Sequence, residues 1–125
     1  MNLIKIKNKK KKEIKKKGKI KMLTNFRTYQ QAMKFYKSAE RLKLKGNKRD
    51  QFERAILSIV LNLSEGSAKS SAKEREKFYR ISLGSLREVQ TLLDLFGTPE
   101  LIHEADCLGA SLYCLCRGCR NSYSN

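Results

Sequence analysis

From Thr24 onward the apolar residues recur at helical spacing. In the first segment Phe26, Tyr29, Met33 and Tyr36 fall three, four and three residues apart, which makes one stripe on a helix. Lys34, Lys37 and Arg41 lie off that stripe, and Gly46-Asn47 is expected to end the segment, because both residues accept a left-handed conformation. The second segment runs from Asp50 to about Glu65 with Phe52, Ile56, Ile59 and Leu63 on one face. Leu57, Val60 and Leu61 sit elsewhere on it, so the stretch from Ile56 to Leu63 is apolar nearly all round. A helix of that kind is buried on two sides, and in a short chain the second side is most simply another subunit. Gly66 is expected to stop this helix.

Ser71-Ala72-Lys73-Glu74 has the form of a capping box, in which hydroxyl and carboxylate each satisfy an orphan backbone N–H. It predicts a third helix over Ala72–Phe96 with Phe78, Ile81, Ser85, Val89, Leu92 and Phe96 on its seam, stopped by Gly97. Thr98-Pro99 then supplies a cap and a first-turn proline for a fourth helix carrying Leu101, Ala105, Leu108, Leu112 and Leu115. No segment alternates with a period of two. The pattern predicts an all-α fold, an antiparallel up-down-up-down four-helix bundle over residues 23–120, with 121–125 disordered.

Charge changes this picture at one end. The chain carries 28 Lys and Arg against 12 Asp and Glu, net +16, but eleven of the lysines lie within residues 1–22. That segment cannot bury enough apolar surface to offset its ordering entropy, so composition predicts a disordered tail. It reads either as a basic arm for nucleic-acid phosphates or as untranslated sequence. The second reading follows from Gly18 and the lysine codons, which imply a purine-rich stretch just ahead of Met22. No apolar run approaches the ~20 residues of a membrane span, and no signal-peptide core follows the lysines, so neither membrane nor export is expected.

Within the bundle, Lys73, Lys77, Arg80, Gly84 and Arg87 are spaced four, three, four and three and share one face of the third helix. A basic ridge of this kind can dock phosphates. Glu76 can pair with Arg80 and relieve part of the repulsion. No aromatic-interleaved platform or base-reading motif accompanies the ridge in sequence, so contact with backbone charge and shape is expected. Changing Arg80 and Arg87 together to Glu should weaken that contact while leaving the melt nearly intact. Gly84 costs ~1 kcal/mol mid-helix, and a close approach to Gly109 of the fourth helix would explain it.

Candidate chemistry is sparse. Cys107, Cys114, Cys116 and Cys119 crowd the C-terminus, but a four-thiolate site needs two separated pairs and only Cys116/Cys119 forms one. No metal or cofactor is expected. His103 stands alone beside Asp106, and no catalytic motif is present, so the chain is expected to be non-enzymatic. Ser64, Ser67, Ser70 and Ser71 read as loop and cap residues. Asn62, Glu65, Ser85 and Glu88 lie in or beside apolar runs and suggest a polar network between helices or subunits.

These residues carry a resemblance. Asp50-Gln51-Phe52-Glu53-Arg54-Ala55, Ser58-Ile59-Val60-Leu61-Asn62-Leu63-Ser64-Glu65-Gly66, Lys73-Glu74-Arg75 with Phe78-Tyr79, and Leu83-Gly84-Ser85-Leu86-Arg87-Glu88 resemble the 23S rRNA-intervening-sequence proteins. Ala105 to Tyr113 is similar to that family's last helix, and the likeness covers roughly residues 25–117. Cys114 and Cys119 depart from it, at places that are usually polar. The resemblance implies a cytoplasmic bundle that forms a ring-like homopentamer with a basic surface. It also implies an accessory role beside a reverse transcriptase, as in diversity-generating retroelements. The expected protein is therefore a self-associating bundle that binds RNA or DNA through Lys73, Lys77, Arg80 and Arg87. The alternative is a protein–protein adaptor with no nucleic-acid role.

Overall fold

The computed structural model describes residues 26–124, so the Lys-rich segment 1–22 lies outside the described residues. Four helices form: α1 (Arg27–Ala39), α2 (Asn47–Ser67), α3 (Ala72–Phe96) and α4 (Pro99–Tyr123), with no strand among the described residues. Each helix packs along two others, in the closed order α1, α2, α3, α4 and back to α1. Ile59, Leu63, Leu86, Val89, Leu93, Leu108 and Leu112 fill the space between them, each at most 1 % exposed. No described helix is long and apolar enough to cross a membrane.

Local chemistry sets the helix ends. The Ser71 hydroxyl accepts from the Glu74 backbone N–H at 3.1 Å and starts α3. The Thr98 hydroxyl does the same for Leu101 at 3.3 Å, with Pro99 opening α4. The Thr98-Pro99 start matches its sequence signal, and of the expected capping box the Ser71 half forms. Arg75 braces the α2–α3 connection by donating from Nη1 to the carbonyls of Lys69 and Ser70, at 3.2 and 3.0 Å. Two glycines behave differently from expectation. α1 already ends at Ala39, and Gly46, at φ 64°, caps the start of α2 instead. Gly66 lies inside the last turn of α2, where a Cβ would stand 2.7 Å from the buried Tyr79 ring. Its role is close packing of α2 on α3, not helix termination.

The seams agree with the sequence on α2, where Phe52, Ile56, Ile59 and Leu63 are all buried. α4 buries Leu101, Ala105, Leu108 and Leu112 as expected, and Cys116 rather than the half-buried Leu115 completes the row. On α1 the buried row is Thr28, Ala32, Phe35 and Ala39. Phe26, Tyr29 and Tyr36 pack at its flanks, half-buried. Small residues let α1 approach its neighbours closely, and they carry little hydrophobic signal. On α3 the buried row is Glu76, Tyr79, Ser82, Leu86, Val89 and Leu93, so only Val89 of the expected seam is fully inside. α4 also continues past residue 120 to Tyr123, where disorder was expected. Buried Cys119 and the Tyr123 side chain, bonded to Glu76 of α3, hold that last turn.

Candidate nucleic-acid interface

Lys73, Lys77, Arg80, Gly84 and Arg87 are all solvent-exposed along one face of α3. The face borders α4. A Cβ on Gly109 of α4 would lie 3.7 Å from Arg87 Nη1, and Gln90 of α3 donates to Asp106 of α4 at 2.9 Å. Arg87 Nη1 in turn donates to Gln90 Oε1 at 2.8 Å. Asp106 is therefore tied to α3, not to His103, whose Nε2 lies 3.7 Å from Cys107 Sγ.

Arg80 is the organised member of the ridge. Its Nε donates to Glu76 Oε2 at 3.1 Å and its Nη2 lies 3.0 Å from the same oxygen, as the i,i+4 spacing allows. Glu76 is itself only 5 % exposed, and the Tyr123 hydroxyl donates to its other oxygen. The Tyr123 hydrogen bond, followed by those of Arg80, holds the Glu76 carboxyl below the usual carboxylate range, against the opposing effect of desolvation. The Arg80→Glu change would set a second carboxylate against this one. The expectation that reversing Arg80 and Arg87 spares the melt is thus corrected: Arg80 neutralises a buried acid.

Arg80 also meets α4. With Tyr113, Arg117, Arg120, Asn121 and Ser124 it lines a concavity of about 270 Å³. Sequence reasoning missed this gathering because Arg80 and Tyr113 are far apart in the chain. The available signal was the spacing of Tyr113, Arg117 and Arg120, four and three residues apart on one face of α4.

The polar residues on the α2–α3 side divide. Asn62 Nδ2 donates to the Ser58 carbonyl and hydroxyl at 2.8 and 3.1 Å, and Ser58 Oγ shares a 2.7 Å hydrogen bond with Ser85 Oγ. Deeper in, Ser82 donates to the Ile59 carbonyl at 2.8 Å. Asn62 and Ser85 therefore join a network through Ser58, which the sequence did not single out. Glu65 and Glu88 are exposed and outside it; Glu65 makes only a 3.6 Å pair with Lys69. The network is flanked by Leu57, Leu61 and Ile81, each more than 40 % exposed. Val60 packs against the core instead. Gly84 has nothing within 4 Å of the position a Cβ would take, so no close approach to Gly109 explains it. Ser64 and Ser67 lie within α2, joined by a Ser67 hydroxyl bond to the Ser64 carbonyl at 2.7 Å.

The cysteines split by face. Cys116 and Cys119 are buried, whereas Cys107 and Cys114 are exposed. Among the described residues no three His, Cys, Asp or Glu side chains gather as metal ligands would. Burial pushes the Cys116 thiol up and the Tyr79 phenol up to about 12. Both stay protonated at neutral pH, when neither is a nucleophile.

The described residues thus form an all-helical unit of four helices, with a basic face on α3 and an exposed apolar edge between α2 and α3. The family model described as 23S rRNA-intervening sequence protein matches residues 24–114, and the chain belongs to that family. No curated protein and no solved structure matches the chain.

Proposed function

We propose that the chain is a non-enzymatic, oligomeric helical-bundle protein that binds nucleic acid through the basic face of α3. The observation that carries this reading is the common exposure of Lys73, Lys77, Arg80 and Arg87 on that face. Lysine and arginine so arranged release counterions when they meet a phosphate backbone, and this requires no particular sequence. The family description points to an RNA context. An accessory role beside a reverse transcriptase, implied by the resemblance, accords with backbone binding.

In this reading the helices run antiparallel, up-down-up-down. Residues 68–71 and 97–98 are too few for a parallel crossover. The approaches of Ser58 to Ser85 and of Gly66 to Tyr79 pair rising with falling numbers. Leu57, Leu61 and Ile81 around the Ser58–Asn62–Ser85 network form the edge through which copies associate. A ring of five follows from the resemblance. The protein works in the cytoplasm.

The test compares the full chain with its Lys77→Glu, Arg87→Glu form in RNA and DNA gel shifts. Both proteins carry the same N-terminal lysines, and Arg80 is left to hold Glu76. Binding should weaken across all sequences with little change in the melt. Unchanged affinity, or no wild-type binding at low salt, overturns the reading in favour of a protein adaptor.

A further inference from the structure

The concavity between α3 and the end of α4 has a composition that a solvated helix face does not require. Arg80, Arg117 and Arg120 all line it, and no carboxylate does so among the described residues. The nearest acid, Glu76, is buried behind Arg80 and bonded to two of its nitrogens. That pairing fixes the guanidinium plane, yet the Arg80 side chain stays 49 % exposed toward solvent. Three positive charges against one buried negative charge leave a surplus that suits an anion. Arginine forks match the paired oxygens of a phosphate. The volume of about 270 Å³ is several times the ~30 Å³ that one water occupies. On the same wall stands Tyr113, 54 % exposed, a large aromatic ring facing water beside the cations.

Resting on the nucleic-acid reading above, we propose that this concavity holds one nucleotide of a single strand. Arg80, Arg117 and Arg120 take its phosphate, and Tyr113 stacks on its base. Asn121 and Ser124 offer hydrogen bonds at the rim. The preference for a single strand follows from the ring: a base presents its face to an aromatic side chain only when it is unstacked from its neighbours. The ridge of α3 then carries the continuing backbone, since Lys77 and Lys73 precede Arg80 on the same face.

Fluorescence anisotropy on the full chain tests this with a labelled oligouridylate, an RNA duplex of equal length and inorganic phosphate as competitor. Tyr113→Ala should weaken oligouridylate binding about five- to a hundredfold, with duplex binding changed far less and Tyr113→Phe restoring wild-type affinity. Arg117→Gln with Arg120→Gln should weaken the single strand as well, and the melts of these exposed-site variants should match the wild type. Displacement by inorganic phosphate as readily as by unlabelled oligouridylate would make the concavity a free-phosphate site and overturn the proposal. Wild-type oligouridylate affinity in both Tyr113→Ala and the arginine pair, with Lys77→Glu, Arg87→Glu still weakened, would overturn the pocket and leave the ridge standing. Absence of wild-type binding to either nucleic acid would overturn both.

Discussion

Glu76 places a negative charge beneath a face that is otherwise positive. A buried carboxylate is costly unless its oxygens are satisfied, and here Tyr123 serves one and Arg80 the other. The Tyr123 bond also ties the end of α4 to α3. Because the folded protein holds this carboxyl below its usual range, the group stabilises the fold fully above the unfolded carboxylate pKa. That contribution is lost as the pH falls through the lower folded value. Tyr123→Phe removes the largest cause of the shift. The variant should melt below the wild type at neutral pH, and the gap should narrow as the pH drops below about 4. A gap that stays constant across that range would show that Tyr123 stabilises by packing alone.

At the scale of the helix, the two glycines of the central pair make opposite predictions. Gly66→Ala pushes a methyl into the Tyr79 ring, 4 % exposed and unable to retreat cheaply, and should destabilise by about 1–3 kcal/mol. Gly84→Ala meets nothing within 4 Å and should stabilise by about 1 kcal/mol through helix propensity. Chemical denaturation measures both, and a loss of stability at Gly84 would contradict the open space described there. The starts of α3 and α4 were legible in the sequence because their caps are local: Ser71, Thr98 and Pro99 act on neighbours within three or four residues. The end of α1 and the start of α2, which have no side-chain cap, were not. Which face of α3 turns inward was not. Its apolar residues span two adjacent stripes, and the choice falls to Ser82 and Glu76, which a hydrophobic pattern counts as surface. Each is inside because a distant group satisfies it, the Ile59 carbonyl for one and Tyr123 for the other. The basic ridge was legible for the opposite reason, since all its members lie on one helix. The concavity needed α3 and α4 to be set side by side.

For the whole molecule, the proposed function divides between two surfaces. The α2–α3 edge exposes Leu57, Leu61 and Ile81, where the proposal seats another copy of the chain, and the α3–α4 side presents the cations. Leu61→Glu, at 56 % exposure, should leave the fold intact and reduce the mass seen by light scattering toward the 14.4 kDa of one chain. A wild-type mass already at that value would refute the self-association. Repetition of the basic face around an oligomer would raise a weak site to a useful one by avidity. The salt dependence of nucleic-acid binding tests the central claim most directly, because it counts neutralised phosphates without regard to sequence. Lys77→Gln with Arg87→Gln in the full chain should flatten the slope of log affinity against log salt by about 0.7–0.9 for each phosphate that the protein no longer neutralises. An unchanged slope would mean that these two side chains touch no phosphate and that the face of α3 serves something else.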